Sequence, residues 1–169
     1  IISKSNDISS KIWEERDETI PLKNISEMFI LASIVEKETS LKKERSIISG
    51  VFYNRIEKKM RLQSDPTVVY AITLGKRKME RNLSRKDLKI DSKYNTYVNK
   101  GLPPSPICFP GVESLQGTAK PYKSNYLYFV SNNLNGGHYF SSNYKEHLEF
   151  IKSKKSKNNE WYENKKRVN

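Results

Sequence analysis

The residues with the clearest capacity for chemistry lie in the stretch LASIVEKETS, Leu31 to Ser40, where Glu36 and Glu38 close the most apolar segment of a polar chain. A carboxyl group on an apolar stripe is disfavoured as an anion, so its pKa rises toward the range a general acid needs near neutrality. On a helical wheel with Met28 at zero, Leu31 falls at about 300°, Ile34 at about 240° and Val35 at about 340°. Glu38 falls at about 280°, inside that stripe, and Glu36 at about 80°, so the two carboxylates face apart and do not act as a pair on a straight helix. A glutamate at a helix C-terminus also opposes the macrodipole, which solvation alone does not justify. The structural alternative is a helix-end carboxylate reaching water or bonded to a cation such as Arg45.

Other polar residues are placed to complete a site: Asn54 in VFYNR, Gln63 and Asp65 in RLQSDPT, Tyr94, Asn95 and Tyr97 in YNTY, and His138 in GGHYF. Each has a plainer role available. Asp65 can cap a helix, the tyrosines can fill a core, His138 can pack on a strand, and His147 on a charged helix can be solvated. No zinc-protease, phosphate-loop or serine-hydrolase motif is present.

The elements that must hold these groups follow from pattern. Asn24 or Ser26 caps a helix running to about Thr39, and Leu41 to Lys59 continues as a second, with Gly50 inside it as a weak point. Ser64, Asp65 and Pro66 signal a third helix start, a cap followed by proline in the first turn, running to about Leu74 and ending near Gly75. Residues 75–82 read as a basic loop, and SRKDL from Ser84 as a short capped turn. The four prolines of Gly101 to Gly111 exclude a helix and favour a stiff extended loop. Val112 to Ala119 reads as a short helix. Tyr126 to Val130 and His138 to Ser141 read as a hairpin around the turn Asn132 to Gly137, and Asn143 caps a last helix from Tyr144 to about Ile151. The sum is an α+β fold of several helices, one small β-hairpin and long ordered loops.

Composition sets the frame. The chain has 169 residues, enough for one domain and a tail, and 31 Lys plus Arg against 19 Asp plus Glu give a net charge of +12. Such a balance suits a polyanionic partner, yet charge alone names none, and much of the excess lies in the C-terminal tail. Cys108 is the single cysteine, which rules out an intramolecular disulfide and disfavours a cysteine metal cluster. The uninterrupted apolar run Met28 to Ala32 is far too short for a membrane span. No signal peptide is visible, and the opening on Ile1 reads as a piece of a longer protein.

Taken in order, ASIVEKET, VFYNR, MRLQSDPTVVY, YNTY, GLPPSPI, YLYFV and GGHYFS closely resemble the endolytic murein transglycosylases, the YceG-like (MltG) family. The resemblance spans about Phe29 to His147. It implies a helical, lysozyme-like catalytic core over residues 25–152; outside the resemblance, residues 1–24 read as a helical N-terminal segment linking to an upstream region, and 153–169 as a basic flexible tail. It implies a carbon–oxygen lyase that cleaves the MurNAc–GlcNAc β-1,4 bond of nascent peptidoglycan and leaves 1,6-anhydro-MurNAc ends. Glu38 aligns with the family's catalytic glutamate. Asn54, Gln63, Tyr94, Asn95, Tyr128 and His138 are the expected substrate-binding residues, and the proline loop is expected to wall the groove. The resemblance implies no cofactor and no metal. The expected partners are glycan strands and peptidoglycan synthases. The expected location is the outer face of the cytoplasmic membrane, through a single-pass anchor and a LysM-like domain that lie outside this chain. The fragment itself is expected to be monomeric.

Three other readings compete. One is a glycan-binding module without chemistry, which the intact EKET sequence opposes. Another is a basic nucleic-acid-binding domain, suggested by charge and YLYFV but lacking the spacing of an RNA-binding module. The last is a hydrolase in which water replaces the sugar hydroxyl as nucleophile.

Overall fold

In a computed structural model, residues 2–132 and 136–154 are described, with side chains from Asp7 onward. The expected α+β class is observed: among the described residues there are six α-helices and one two-stranded antiparallel sheet. The chain divides into two compact units, Ile1–Ser124 and Asn125–Asn169.

The first unit is built around α2 (Ile25–Glu38). Asn24 caps it by accepting the Glu27 amide at 3.0 Å, and Glu27 reaches back to the Lys23 amide at 2.7 Å. The apolar stripe expected from the wheel widens into burial on almost every side: Met28, Leu31, Ala32, Ser33, Ile34 and Val35 are all fully buried. The reason is that α1 (Ile2–Glu14), α3 (Lys42–Glu57), α4 (Asp65–Thr73) and α5 (Val112–Ala119) all pack against α2. A helix surrounded in this way must be apolar all round. Thr39 leaves the helix in an extended conformation, and its hydroxyl accepts the Leu41 amide to turn the chain into α3.

Gly50 sits inside α3, at the position expected to weaken that helix. The structure supplies its use: a Cβ there would lie 2.4 Å from the Tyr122 carbonyl oxygen. Gly117 serves the α3–α5 crossing in the same way, with a Cβ meeting the Ser46 amide nitrogen at 3.0 Å.

The proline loop is laid against α2 by named bonds. The buried Ser33 hydroxyl accepts the Ile107 amide at 3.0 Å, and Glu36 accepts the Gly111 amide at 3.0 Å. The SRKDL turn forms a 3-10 turn over Asp87–Lys89, closed by Ser84 donating to Asp87.

In the second unit, β1 (Tyr128–Ser131) pairs with β2 (His138–Ser141), Phe129 opposite Phe140 and Val130 opposite Tyr139. The first strand, expected over Tyr126 to Val130, is observed over Tyr128–Ser131, with the Leu127 amide still donating to the Ser141 carbonyl at 2.9 Å. A sixth helix, α6, spans 144–154, with Asn143 accepting the Glu146 amide as its cap. The Tyr128 and Tyr139 rings pack on α6, against His147 at 5.3 Å and Phe150 at 4.8 Å. The expectations for the centre of the hairpin turn, 133–135, and for the tail beyond 154 lie outside the described residues.

Candidate active site

The two glutamates of α2 have separate tasks. Glu36 accepts from the Ser114 hydroxyl at 2.6 Å and the Gly111 amide at 3.0 Å, and pairs with Arg45 at 3.2 Å. Burial pushes its pKa up, but these three partners outweigh burial and hold its carboxyl below the usual range. It is an ionised clamp between α2, α3 and the start of α5. The cation foreseen as a possible partner for a helix-end glutamate, Arg45, is spent on Glu36 and not on Glu38.

Glu38 is the last residue of α2 and is half-buried. Its Oε1 accepts the Ser64 hydroxyl at 2.5 Å. Burial pushes its pKa up to about 7, and the negative charge of Asp65 adds to the rise. The Ser64 hydrogen bond and the positive charge of Arg55 oppose it without cancelling it. The result is a carboxyl close to half-protonated at neutral pH, oriented through one oxygen.

The segment facing Glu38 is held with unusual completeness. Gln63 adopts a left-handed backbone with φ of 51°, a conformation that costs a non-glycine residue about 1 kcal/mol or more. Three bonds offset that cost. The Gln63 amide donates to the Thr96 carbonyl at 3.1 Å, the Ser64 amide to the Thr96 hydroxyl at 3.0 Å, and the Thr67 hydroxyl to the Ser64 carbonyl at 2.7 Å. Thr67 and Thr96 are buried and share a hydroxyl contact of 2.8 Å. From the other side Arg55, also buried, donates to the Leu62 carbonyl at 2.6 Å.

The sequence pattern offered Asp65 as a cap for α4, and that role is corrected. Ser64 occupies the cap position and makes no side-chain cap bond, because its hydroxyl is engaged by Glu38. Asp65 is the first helical residue and accepts the Tyr97 hydroxyl at 2.6 Å. Tyr97 is held strongly in its protonated form, first by burial and then by Asp65, with Glu38 adding to the effect. Ser64, Asp65 and Tyr97 are therefore the residues gathered around Glu38. A signal was available in the sequence: SDP offers two polar residues where a helix needs a single cap, which leaves the other for a different partner.

The expected substrate-binding residues fall in several places. Gln63 is exposed beside Ser64, and its side-chain amide makes no hydrogen bond among the described residues. Asn95 is fully buried; it donates to the Leu88 and Ile90 carbonyls and accepts the Tyr97 amide at 2.9 Å, so it shapes the loop that presents Tyr97. Tyr94 bonds Ser105 of the proline loop at 2.7 Å, and its ring packs on Tyr70. Asn54 donates to the Ser124 carbonyl at 2.8 Å. Tyr128 and His138 lie in the second unit, on opposite faces of the hairpin, Tyr128 against α6 and His138 edge-on to Phe129. No group of His, Cys, Asp and Glu among the described residues is arranged to hold a metal ion.

The YceG-like family model matches residues 1–153, nearly the whole chain. The chain belongs to the YceG-like family. A protein of Bacillus subtilis named endolytic murein transglycosylase is 45% identical to this YceG-like chain over 138 residues, 79% of it. One of the same name from Streptococcus pneumoniae is 38% identical over 136 residues. The YceG-like chain spans 37% and 24% of the lengths of these relatives. A crystal structure of a YceG-like protein from Listeria monocytogenes superposes with a TM-score of 0.71 at 40% identity, covering 88% of this chain and 44% of that one.

Proposed function

We propose that this chain is the catalytic portion of a lytic transglycosylase that cuts peptidoglycan strands at the MurNAc–GlcNAc β-1,4 bond. The relatives' names supply the substrate class. The observation that carries the chemistry is Glu38, oriented by Ser64 and neutral enough near pH 7 to give up a proton. Protonated Glu38 donates to the glycosidic oxygen as the bond to C1 of MurNAc breaks. The same carboxylate then takes the proton from the C6 hydroxyl of that MurNAc as its oxygen bonds C1. Atoms balance without water: the products are a free hydroxyl on the departing sugar and a 1,6-anhydro ring. One carboxyl suffices, because the nucleophile belongs to the substrate and its effective concentration is high. Gln63, whose side-chain amide makes no hydrogen bond among the described residues, adjoins Ser64, the donor to this acid, and Asn95 acts by placing Tyr97.

A second reading rests on Asp65. It is a second carboxylate close enough to raise the Glu38 pKa, held by Tyr97. Such a pair could activate water, as in glycosidases that use two carboxyl groups. Mass spectrometry separates the two: hydrolysis gives reducing ends one water heavier than anhydro ends. Anhydro ends from the wild type support the first mechanism, and reducing ends overturn it in favour of the second. Under either reading Glu38→Gln loses about 10³-fold in turnover, measured as soluble fragments released from purified strands; full activity in that variant would remove Glu38 from the mechanism.

The full protein is read as acting at the outer face of the cytoplasmic membrane, alongside the synthases that make its substrate. None of the described helices is long and apolar enough to cross a membrane.

A further inference from the structure

A groove of about 920 Å³ opens beside α4, with Asp65 at its edge and Lys37, the residue before Glu38, on its wall. Its apolar lining includes Val69, Met79, Leu83 and Ile107. Its charged lining is strongly one-sided. Arg81 is neutralised by Asp87, at 2.6 Å. Lys37, Arg77 and Lys78 form no ion pair among the described residues, and Asp65, already engaged by Tyr97, is the only acid in the lining. An apolar trough rimmed by three uncompensated cations is suited to a short peptide carrying carboxylates.

We propose that this groove is the subsite for the acidic peptide stem of the glycan strand, with Lys37, Arg77 and Lys78 receiving its carboxylates. The inference rests on the reading of Glu38 as a murein-cleaving acid, and it names what the enzyme recognises besides sugar. The chemistry of the substrate supports the placement. The ring whose C1 reacts is the ring that carries the lactyl-linked stem, so the stem must leave the site within about one sugar width of the catalytic carboxyl. The groove is lined by Lys37, which precedes Glu38 in sequence, and by Asp65, whose charge acts on Glu38. The loop 75–82, which the sequence marked only as basic and solvated, then becomes, with Leu83, the element that selects stem-bearing strands over stripped ones.

The test compares intact strands with strands whose stems have been removed by an amidase, using the whole chain. For the double variant Arg77→Glu, Lys78→Glu, the ratio of kcat/KM on stem-bearing to stemless strands should fall about tenfold, carried by KM, and the wild-type preference should weaken with salt. Lys37→Gln should move the ratio the same way by a smaller factor. Equal changes on both substrates, or no change on either, overturn the proposal. Binding is read separately by NMR, titrating a synthetic stem peptide into the Glu38→Gln chain. Shifts confined to Lys37, α4 and residues 75–83, and lost in the double variant, support the subsite; their absence overturns it. If the wild type cleaves no murein at all, the functional reading fails, while the titration still decides whether the groove takes the peptide.

Discussion

At the residue scale the site turns on how three side chains and burial divide the control of one proton. Ser64 and Arg55 favour the anion of Glu38, while burial and Asp65 disfavour it. The neighbours can therefore be tested in opposite directions. Ser64→Ala removes a bond to the charged form, so the alkaline limb of the kcat/KM profile should move to higher pH, with turnover down about tenfold from lost orientation. Asp65→Asn removes a like charge, so the same limb should move to lower pH. Shifts of the same sign in both variants would show that these groups do not act on Glu38 through charge and hydrogen bonding. Glu36 offers the contrast: two residues away, with three partners favouring its anion, it is a clamp and not an acid.

At the scale of elements, precision comes from close backbone approaches and from loops tied to helices. α3 is held against the 121–123 segment at Gly50, and the Tyr122 amide donates to the Ser46 carbonyl at 3.0 Å. A methyl at Gly50 must displace backbone, not a flexible side chain. Gly50→Ala should therefore cost about 3 kcal/mol in urea unfolding, against the small gain that the same change brings in an exposed helix. Gly117→Ala should destabilise less, since its tightest neighbours stand at 3.0–3.1 Å. The strained turn at Gln63 is the reverse case. Gln63→Gly should relieve left-handed strain and leave stability equal or higher by up to about 1 kcal/mol, while removing the amide that the proposed function gives to substrate binding. A loss of stability there would mean the side chain, and not the turn, is what the fold needs.

Across the whole molecule, a neutral carboxyl at the end of the central helix couples stability to pH. The folded-state pKa of Glu38, about 7, lies above its ordinary value of 4.5. Its contribution is therefore fully present below about pH 4.5, declines as pH rises, and is gone above about pH 7. Glu38→Gln keeps the neutral form at every pH. Its Tm should match the wild type at pH 4.5 and exceed it by a few degrees at pH 8. A difference that is flat between those values would mean that Glu38 is not held neutral by the fold. Under the proposed function the net charge of +12 would act on a different quantity, capture of an acidic polymer, which salt should weaken while leaving the Glu38 titration in place.

Much was legible in the amino-acid order. Periodicity located α2, α3, α4 and α5, cap and proline signals marked the starts of α2 and α4, and the wheel separated Glu38 from Glu36. These are local properties, set by 3.6-residue repetition and by the backbone limits of Asn, Ser, Pro and Gly. The partners of Glu38 were not legible. Ser64 looked like a cap until Glu38 took its hydroxyl, and Asp65 looked like a cap until Tyr97 donated to it from 32 residues away. Gly50 looked like a flaw until Tyr122 came within reach. Sequence determined which groups could do chemistry and on which face of which helix they stand. Only the tertiary structure decided which of them meet, because hydrogen bonds and desolvation depend on distances that chain order does not contain.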